Sequence, residues 1–594
     1  MSRAVDQLPQ YLSKYITQQN YENYTFINHA VWRYILRQNL QFFGKEKKSL
    51  ACYGKGLIET GIPIDSIPKI SAIDQKLDHL GWGAVPVCGF IPPVAFLEFQ
   101  ANCVLPIARD IRSYKHVNYT PAPDIIHEAA GHAPILIETN YADFLKMYGS
   151  IATKTIDSKE NIELYESIRV LSDLKEAKRS TKEEILVAEK SFNQCLKQID
   201  DVSESAEIVR LYWWTAEYGL LGDLKSPKIY GAGLLSSVGE SYNSLTDKVK
   251  KLPLTIDCIN YGYDITKQQP QLFVADSFQN MVDVLKEFEK TMAYRVGGLE
   301  SLKKAQKAGI VTTTTFKNKL SISGILYDMK IHFDNIQTIQ WTIAVQAGVD
   351  STPIKEWDTA DHQNGLMGLL SVPLDYKDSG MVDKDYLQKG GFKIGENISV
   401  QLDNDVIVKG CLFDIYEFEG YLQSFYLKEA KIIWSNKKEN DYEELFWIFD
   451  TKVTSVYGGP LDQQSFGEHL IGEASTSPND LSGLNEEEII MNEALQKIRE
   501  LRESSETQIP LNFIEELECL AKIYLSSNLK HWLFALELYE ICIINFHLNP
   551  MLFSWLNELA IIVNDGDLFN EEDSKLLDDG LKIINNKLKG RKNA

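Results

Sequence analysis

Near Thr312 the spacing of apolar residues changes period, and this change constrains the fold more than any other feature of the chain. Up to about residue 300 the pattern is helical. In "NYTFINHAVWRYILRQNLQFF", Val31, Ile35, Leu40 and Phe43 recur roughly as one face of a helix. From about Thr312 the period becomes two. In "TIQWTIAVQ", Ile339, Trp341, Ile343 and Val345 fall on one side, with Thr338, Gln340, Thr342 and Ala344 on the other. "ISVQLDNDVIVKG" predicts two strands around an Asp-Asn turn, and similar runs continue through "FYLKEAKIIW" to "FWIFDTKVTSVYGG". A chain of 594 residues exceeds what one core supports. The expectation is a multidomain α+β protein. Residues 1–310 form a mostly helical domain, 311–471 an antiparallel β-rich domain, 472–484 a linker and 485–594 a small helical C-terminal domain.

Punctuation refines this division. Prolines and glycines crowd between Gly81 and Pro93 and between Tyr119 and Pro134, which predicts loops packed on helices. A charged stretch over about 157–205 interrupts the helical part as two amphipathic helices. The second opens at "STKEE", where Ser180 and Glu183 have capping-box spacing. "GEASTSPNDLSG" has linker composition. Asn485 followed by three glutamates suits a helix start, because a cap and an acidic first turn complement the helix dipole. "CLAKIYLSSNLKHWLFALELYEICI" faintly resembles one helix-pair unit.

The formal net charge of -22 leaves no basic face for nucleic acid, and the acidity reads as solubility. The start, "MSRAVDQLPQYLSKYITQQN", lacks the order of a signal peptide, and no apolar run reaches membrane-spanning length. Eight scattered cysteines without CxxC spacing fit reduced thiols. A cytoplasmic protein is expected.

The chemistry centres on "HEAAGHAP", residues 127 to 134. Residues four apart on a helix project about 40° apart, whereas five apart gives about 140°. The pair is therefore not the HExxH of a zinc protease. For His127 and His132 to converge, the helix must be distorted or ending; Gly131 relaxes the backbone and Pro134 cannot donate to the carbonyl of Ala130. Two structural histidines at a helix end are the alternative. Two imidazoles and one carboxylate form the facial arrangement of non-haem iron(II). Glu217 is the candidate carboxylate, because it lies among Tyr212, Trp213, Trp214, Tyr218, Leu220 and Leu221 in "LYWWTAEYGLLG". Burial there is costly without a partner or a metal. An exposed helix face is the competing reading.

"YTPAPDIIHEAAGHAP", "LYWWTAEYGLLG" and "IYGAGLLSSVGE", in this order, resemble the pterin-dependent aromatic amino acid hydroxylases, bacterial members in particular. "HAVWRYI" and "GWGAVPVCGFIPPVAFL" add to the likeness, which runs from about Tyr24 to Arg295. The resemblance implies a mostly α basket around one Fe(2+) held by His127, His132 and Glu217. It implies tetrahydrobiopterin or a related reduced pterin as cofactor and O2 as co-substrate. Arg112 falls where the family holds the substrate carboxylate, which an arginine fork suits; a surface arginine is the bland reading. Tyr119, Thr120 and Ser236 match residues lining the amino-acid site, and Trp213 matches a wall of the ring pocket. Gly89, Phe96 and Tyr212 match positions beside the pterin, with Phe96 as a stacking surface. Glu128 matches a pterin-side acid, or equally a carboxylate that orients a ligand.

Three departures stand out. Glu217 follows His132 by 217 − 132 = 85 residues, further than the family usual, so the charged hairpin is expected to bulge outward. Pro92–Pro93 replaces a more polar loop beside the pterin. The β-rich and C-terminal parts have no counterpart in the resemblance, and the latter leaves self-association open. In "YGYDITKQQPQLFVA", Ile265 stands where tyrosine-specific members carry an acid, which favours L-phenylalanine as substrate and L-tyrosine as product; Asp264 lies beside it. The competing readings are a tryptophan or tyrosine hydroxylase, a zinc hydrolase, and a degenerate hydroxylase acting as an interaction protein.

Overall fold

A computed structural model describes residues 2–592 except 47–48, 51, 90, 118–123, 177–179, 200–201, 265–267, 333–334, 357–364, 374–375, 377–380, 403–405, 467–483, 506–511, 527–530 and 546–568. Helix and sheet are mixed, and the period change at Thr312 coincides with the start of a large sheet at Val311.

The N-terminal part is built round the helix Phe26–Glu46. Val31, Ile35 and Phe43 are buried as the spacing predicts, but so are Trp32, Arg33, Tyr34, Leu36 and Asn39, so the helix is enclosed rather than amphipathic. Between Gly81 and Pro93, where loops are expected, Gly83–Val87 is instead a strand paired in parallel with Val104–Ala108. Its residues are buried on both faces, so no alternation marks it in the sequence. A small four-stranded sheet of Lys228–Ile229, Leu220–Leu221, Gln271–Ala275 and Lys250–Pro253 closes this part.

The charged stretch forms the helices Lys159–Glu176 and Lys182–Gln198, packed on each other. The capping box lies one residue later than the spacing of Ser180 and Glu183 suggests. Thr181 accepts from the Glu184 N–H, and the Glu184 carboxylate accepts from Thr181 N at 2.7 Å. Either pair satisfies S/T-x-x-E; Thr181 is the residue with extended backbone, which a cap requires. Leu186 and Val187 are exposed, so this hairpin turns apolar groups to solvent.

From Val311 to Gly458 the described strands form one sheet. Its path runs Asn397–Gln401, Ile407–Phe418, Tyr421–Ile433, Glu439–Ile448, Leu366–Leu370, Asn335–Val349, Leu320–His332, Val311–Phe316 and Val453–Gly458. The pairing is antiparallel except between Leu366–Leu370 and Glu439–Ile448, which run parallel and correct the all-antiparallel expectation. Leu366–Leu370 is buried throughout, as a central parallel-paired strand must be. One face packs Phe316, Ile322 and Trp341 against Leu302, Ala305 and Ala308 of the helix Gly298–Ala308, and the other gathers Tyr386, Phe425 and Trp447.

The alternation read in "TIQWTIAVQ" holds for Ile339 and Trp341 and then slips. Ile343 has φ 50° and is 40% exposed, while Ala344 is fully buried. The register against Leu320–His332 shifts between Ser323 and Ile325, so a bulge flips the faces. A period count cannot see an inserted residue.

The C-terminal helices Glu486–Ser505, Phe513–Ser526, Trp532–Asn545 and Glu571–Lys592 share one core cluster with the N-terminal part. The linker composition at 472–483 falls outside the described residues. Asn485 and Glu488 form a reciprocal cap, with Glu488 N donating to Asn485 Oδ1 at 2.8 Å and Asn485 N donating to Glu488 Oε2 at 3.1 Å. Charge fastens these helices to Phe26–Glu46. Arg33 Nε donates to Glu537 Oε1 at 2.9 Å, Arg37 pairs with Asp65 and Glu540, and Arg502 reaches Glu537 at 2.7 Å. The Tyr34 hydroxyl donates to the Leu576 carbonyl at 2.7 Å, and the Phe26 N–H to Asn492 Oδ1 at 2.7 Å. Among the described residues no helix is long and apolar enough to cross a membrane, and all eight cysteines are free.

Candidate metal and substrate site

His127 and His132 sit on Ile126–His132, which is a π-helix. Its N–H groups reach carbonyls five residues back, so residues five apart stack on one face. This answers the spacing: the helix widens rather than ends, and the two rings lie 5.2 Å apart between centroids. Ala133–Ile137 then tightens into a 3-10 turn through Pro134. Gly131 serves a close approach rather than loosening the backbone. A Cβ there would lie 2.6 Å from the Ala232 carbonyl oxygen. Ala232–Leu235 is the short helix that precedes Ser236, so the absent side chain lets Ser236 reach the first histidine. Its hydroxyl stands 3.1 Å from His127 Nδ1.

Glu217 ends a second π-helix, Trp213–Glu217. Its carboxylate faces both imidazoles: Oε2 is 3.1 Å from His127 Nε2 and Oε1 is 3.1 Å from His132 Nε2. Glu217 and His132 are buried, and the exposed-face reading of Glu217 is excluded. The separation of 85 positions between His132 and Glu217 therefore does not keep the three groups apart. Burial alone would raise the Glu217 carboxyl, but the two imidazoles hold it well below the usual carboxylate range. For His127 the balance is reversed. Burial pushes it down, and the negative field of Glu217 and Glu128 outweighs this and raises it to about 9.

Glu128 is the rival carboxylate. With His127 and His132 it makes a cluster whose ligand atoms all lie within 4.8 Å of one another. Its Oε2 is 3.8 Å from His132 Nε2, too far for a hydrogen bond, and makes none among the described residues. Burial raises its pKa, against the pull of both histidines. The Glu217 carboxylate thus approaches His132 more closely than Glu128 does, at 3.1 Å against 3.8 Å, and Glu217 also faces His127. Among the described residues no lysine or arginine pairs with these two imidazoles and the Glu217 carboxylate, and two imidazoles with one carboxylate are an N2O donor set of the kind that suits iron(II).

Arg112 is buried rather than on the surface. It forks onto Asp124, with Nε donating to Oδ2 at 2.7 Å and Nη2 to Oδ1 at 2.9 Å, and Nη1 reaches the Val117 carbonyl at 3.3 Å. Among the described residues three of its five N–H groups are thus used. Asp124 also accepts from His127 N at 3.1 Å, so one carboxylate ties the arginine to the metal-side helix. Sequence reasoning missed Asp124, although "PAPD" three residues before His127 is a cap signature.

Trp213 is sandwiched between Tyr218, 4.5 Å away at 25°, and Tyr263, 4.3 Å away at 13°. Tyr263 was also missed, because its partner is 50 residues away (263 − 213 = 50) and no local pattern links them. Phe96 is half-buried and lies 6.2 Å from both His132 and Tyr212 between ring centroids. Tyr212 stacks 6.4 Å from His132, and its hydroxyl accepts from Gln100 Nε2 at 2.7 Å. Gly89 has φ 54° and donates to Asp110 Oδ2 at 3.3 Å. The structure thus brings His127, His132, Glu217, Glu128, Ser236, Phe96, Tyr212 and Arg112 into one connected set. Tyr119, Thr120 and Ile265 lie outside the described residues.

Residues 12–166 and 184–315 match the family model of the biopterin-dependent aromatic amino acid hydroxylases. The unmatched residues 167–183 fall in the charged hairpin. The chain is 32% identical over 230 residues to a phenylalanine-4-hydroxylase of Dictyostelium discoideum, covering 38% of this chain and 42% of that protein. It is 28% identical over 283 residues to that of Mesorhizobium japonicum, covering 47% of this chain and 86% of the other. A crystal structure of Chromobacterium violaceum phenylalanine hydroxylase, with iron(III) and 7,8-dihydrobiopterin bound, aligns at 24% identity and a TM-score of 0.36 over 47% of this chain and 86% of that one. Through residues 12–166 and 184–315 the chain belongs to the biopterin-dependent aromatic amino acid hydroxylases.

Proposed function

We propose that the chain is an iron- and tetrahydropterin-dependent monooxygenase that hydroxylates the ring of an aromatic amino acid, with L-phenylalanine as substrate and L-tyrosine as product. The observation that carries this reading is the Glu217 carboxylate facing both Nε2 atoms at 3.1 Å. The relatives' names supply the substrate class. When bound, iron(II) and a reduced pterin would supply the oxidising chemistry: one atom of O2 would enter the ring, and the other would be reduced to the level of water with two electrons from the pterin.

The chain's own groups hold and orient. His127, His132 and Glu217 hold the metal. Ser236 and Asp124 fix His127 through its Nδ1 and its backbone. Arg112, pinned by Asp124, offers its remaining N–H groups to the substrate carboxylate. The Tyr218–Trp213–Tyr263 stack forms a wall for an aromatic ring. Phe96, Tyr212, Gly89 and Glu128 flank the pterin. The domain reading that fits these roles places catalysis in 1–310, with 311–471 and 485–594 as additions to it.

The test supplies the full-length protein with iron(II), tetrahydropterin and O2, and phenylalanine, tyrosine or tryptophan in turn. Tyrosine formed from phenylalanine faster than either other amino acid reacts supports the reading. Faster catechol formation from tyrosine would overturn the substrate, and no turnover of any of the three would overturn the activity.

A further inference from the structure

The segment that carries Arg112 is short and fastened at two kinds of point. Internally, Ser113 Oγ accepts from Lys115 N at 3.3 Å, and Arg112 Nη1 donates to Val117 O at 3.3 Å, closing residues 112–117 into a small loop round the 3-10 turn Tyr114–His116. Externally, Tyr114 faces the C-terminal helices. Its ring meets His531 edge-on, 4.3 Å between centroids at 76°. Burial, together with the negative field of the Glu488 carboxylate, holds its hydroxyl pKa above the ordinary value. Neither His531 nor Glu488 belongs to the residues that the family model matches, which end at 315.

Both partners are themselves anchored. Glu488 is held by its reciprocal cap with Asn485. His531 stacks beside Trp532, whose ring packs on Tyr34 of the helix Phe26–Glu46 at 5.0 Å. Glu537, one to two turns further along the same helix, is paired with Arg33 and Arg502. The turn at Tyr114 is thus tied to a buried charge network rather than to a freely moving tail. Burial and nearby Lys115 keep His531 neutral at neutral pH, so its contact with Tyr114 is one of packing.

We propose that the C-terminal helices act as a positioning element for substrate binding, with His531 and Glu488 clasping Tyr114 so that the 112–117 loop presents Arg112 to the amino-acid carboxylate. The proposal rests on the function given above. His531 and Glu488 are positioning residues, since they act through Tyr114 and touch no reacting group. The clasp gives residues 486–545 a role in amino-acid affinity that does not depend on self-association. An edge-on aromatic contact of this kind corresponds to roughly a three- to tenfold effect on an equilibrium that depends on it.

The test uses the full chain with His531→Ala, His531→Phe and Tyr114→Phe, measuring KM for phenylalanine, KM for the tetrahydropterin, iron content and backbone hydrogen exchange over 112–117. His531→Ala is expected to raise the phenylalanine KM roughly three- to tenfold, leave the pterin KM and iron content unchanged, and speed exchange at 112–117. His531→Phe keeps the ring and should restore both readouts. Tyr114→Phe, which loses only the hydroxyl and keeps the fold, should give a smaller change in the same direction. Unchanged phenylalanine KM and unchanged exchange in His531→Ala would overturn the clasp. So would an equal rise in both KM values or a loss of iron, since those report a general structural role. If the wild type hydroxylates no aromatic amino acid, the function reading fails, and hydrogen exchange at 112–117 still decides the clasp.

Discussion

Gly131→Ala is a small change with a large expected consequence. The added Cβ would stand 2.6 Å from the Ala232 carbonyl oxygen and 3.1 Å from Ala232 C and Cα, where ordinary contact begins at 3.4 Å. The two elements must separate by up to 3.4 − 2.6 = 0.8 Å along that line. All three neighbouring atoms are backbone, so no side chain can rotate away, and Gly131 is buried in the π-helix between the two histidines. Overpacking of this kind costs about 1–3 kcal/mol in stability. The displacement also pulls Ser236 from His127, whose 3.1 Å contact would stretch beyond hydrogen-bonding range. Misplacement approaching 1 Å beside reacting groups lowers turnover by up to about a hundredfold. The assay is kcat for phenylalanine hydroxylation together with iron content and thermal unfolding. Gly239→Ala is the control, because a Cβ there meets nothing within 4 Å, and it should be neutral or slightly stabilising. If Gly131→Ala kept wild-type turnover, iron content and melting temperature, the close approach would have no role in building the site.

Two further outcomes follow from buried charge. Glu537→Ala leaves Arg33 buried with its main partner removed and takes one carboxylate from Arg502, so a loss of about 3–5 kcal/mol is expected. Denaturant unfolding followed by tryptophan fluorescence would measure it, and a loss under 1 kcal/mol would show the network to be solvated. Glu98 is raised to about 7 by burial, against the hydrogen bond from Tyr11. Its folded pKa lies above the unfolded value, so its contribution is favourable below about 4.5 and is lost as pH rises through about 7. Glu98→Gln should therefore gain stability relative to wild type between pH 5 and 8, on the order of 3 kcal/mol at most. A difference that did not grow with pH would contradict the buried ionisation.

Much of the site was legible because its residues are chemically unusual in their context. Two histidines at an awkward spacing and one glutamate among aromatics each demand an explanation, and one metal site explains all three. The π-helical turn was only half legible: the spacing requires distortion, but whether the helix ends or widens depends on hydrogen bonds that no residue type announces. Asp124 and Tyr263 were passed over because their partners, Arg112 and Trp213, lie beyond the reach of a local pattern. The large sheet was read from its period, yet the bulge at Ile343 and the parallel pairing of Leu366–Leu370 arise from register between distant strands. The packing of the C-terminal helices on Phe26–Glu46 left a trace in the sequence only as arginines on an otherwise apolar helix. That pattern looks like an exposed face until the glutamates that meet it, Glu537 and Glu540, are seen in place.

The central claim is that His127, His132 and Glu217 hold one iron. It is tested most directly by titrating iron(II) into metal-free protein, wild type and Glu217→Gln, and measuring bound iron per chain after desalting. The account predicts about one iron per wild-type chain and a large loss in Glu217→Gln, with Glu128→Gln retaining most of the metal. Retention of full iron binding by Glu217→Gln together with its loss in Glu128→Gln would contradict it and make Glu128 the ligand.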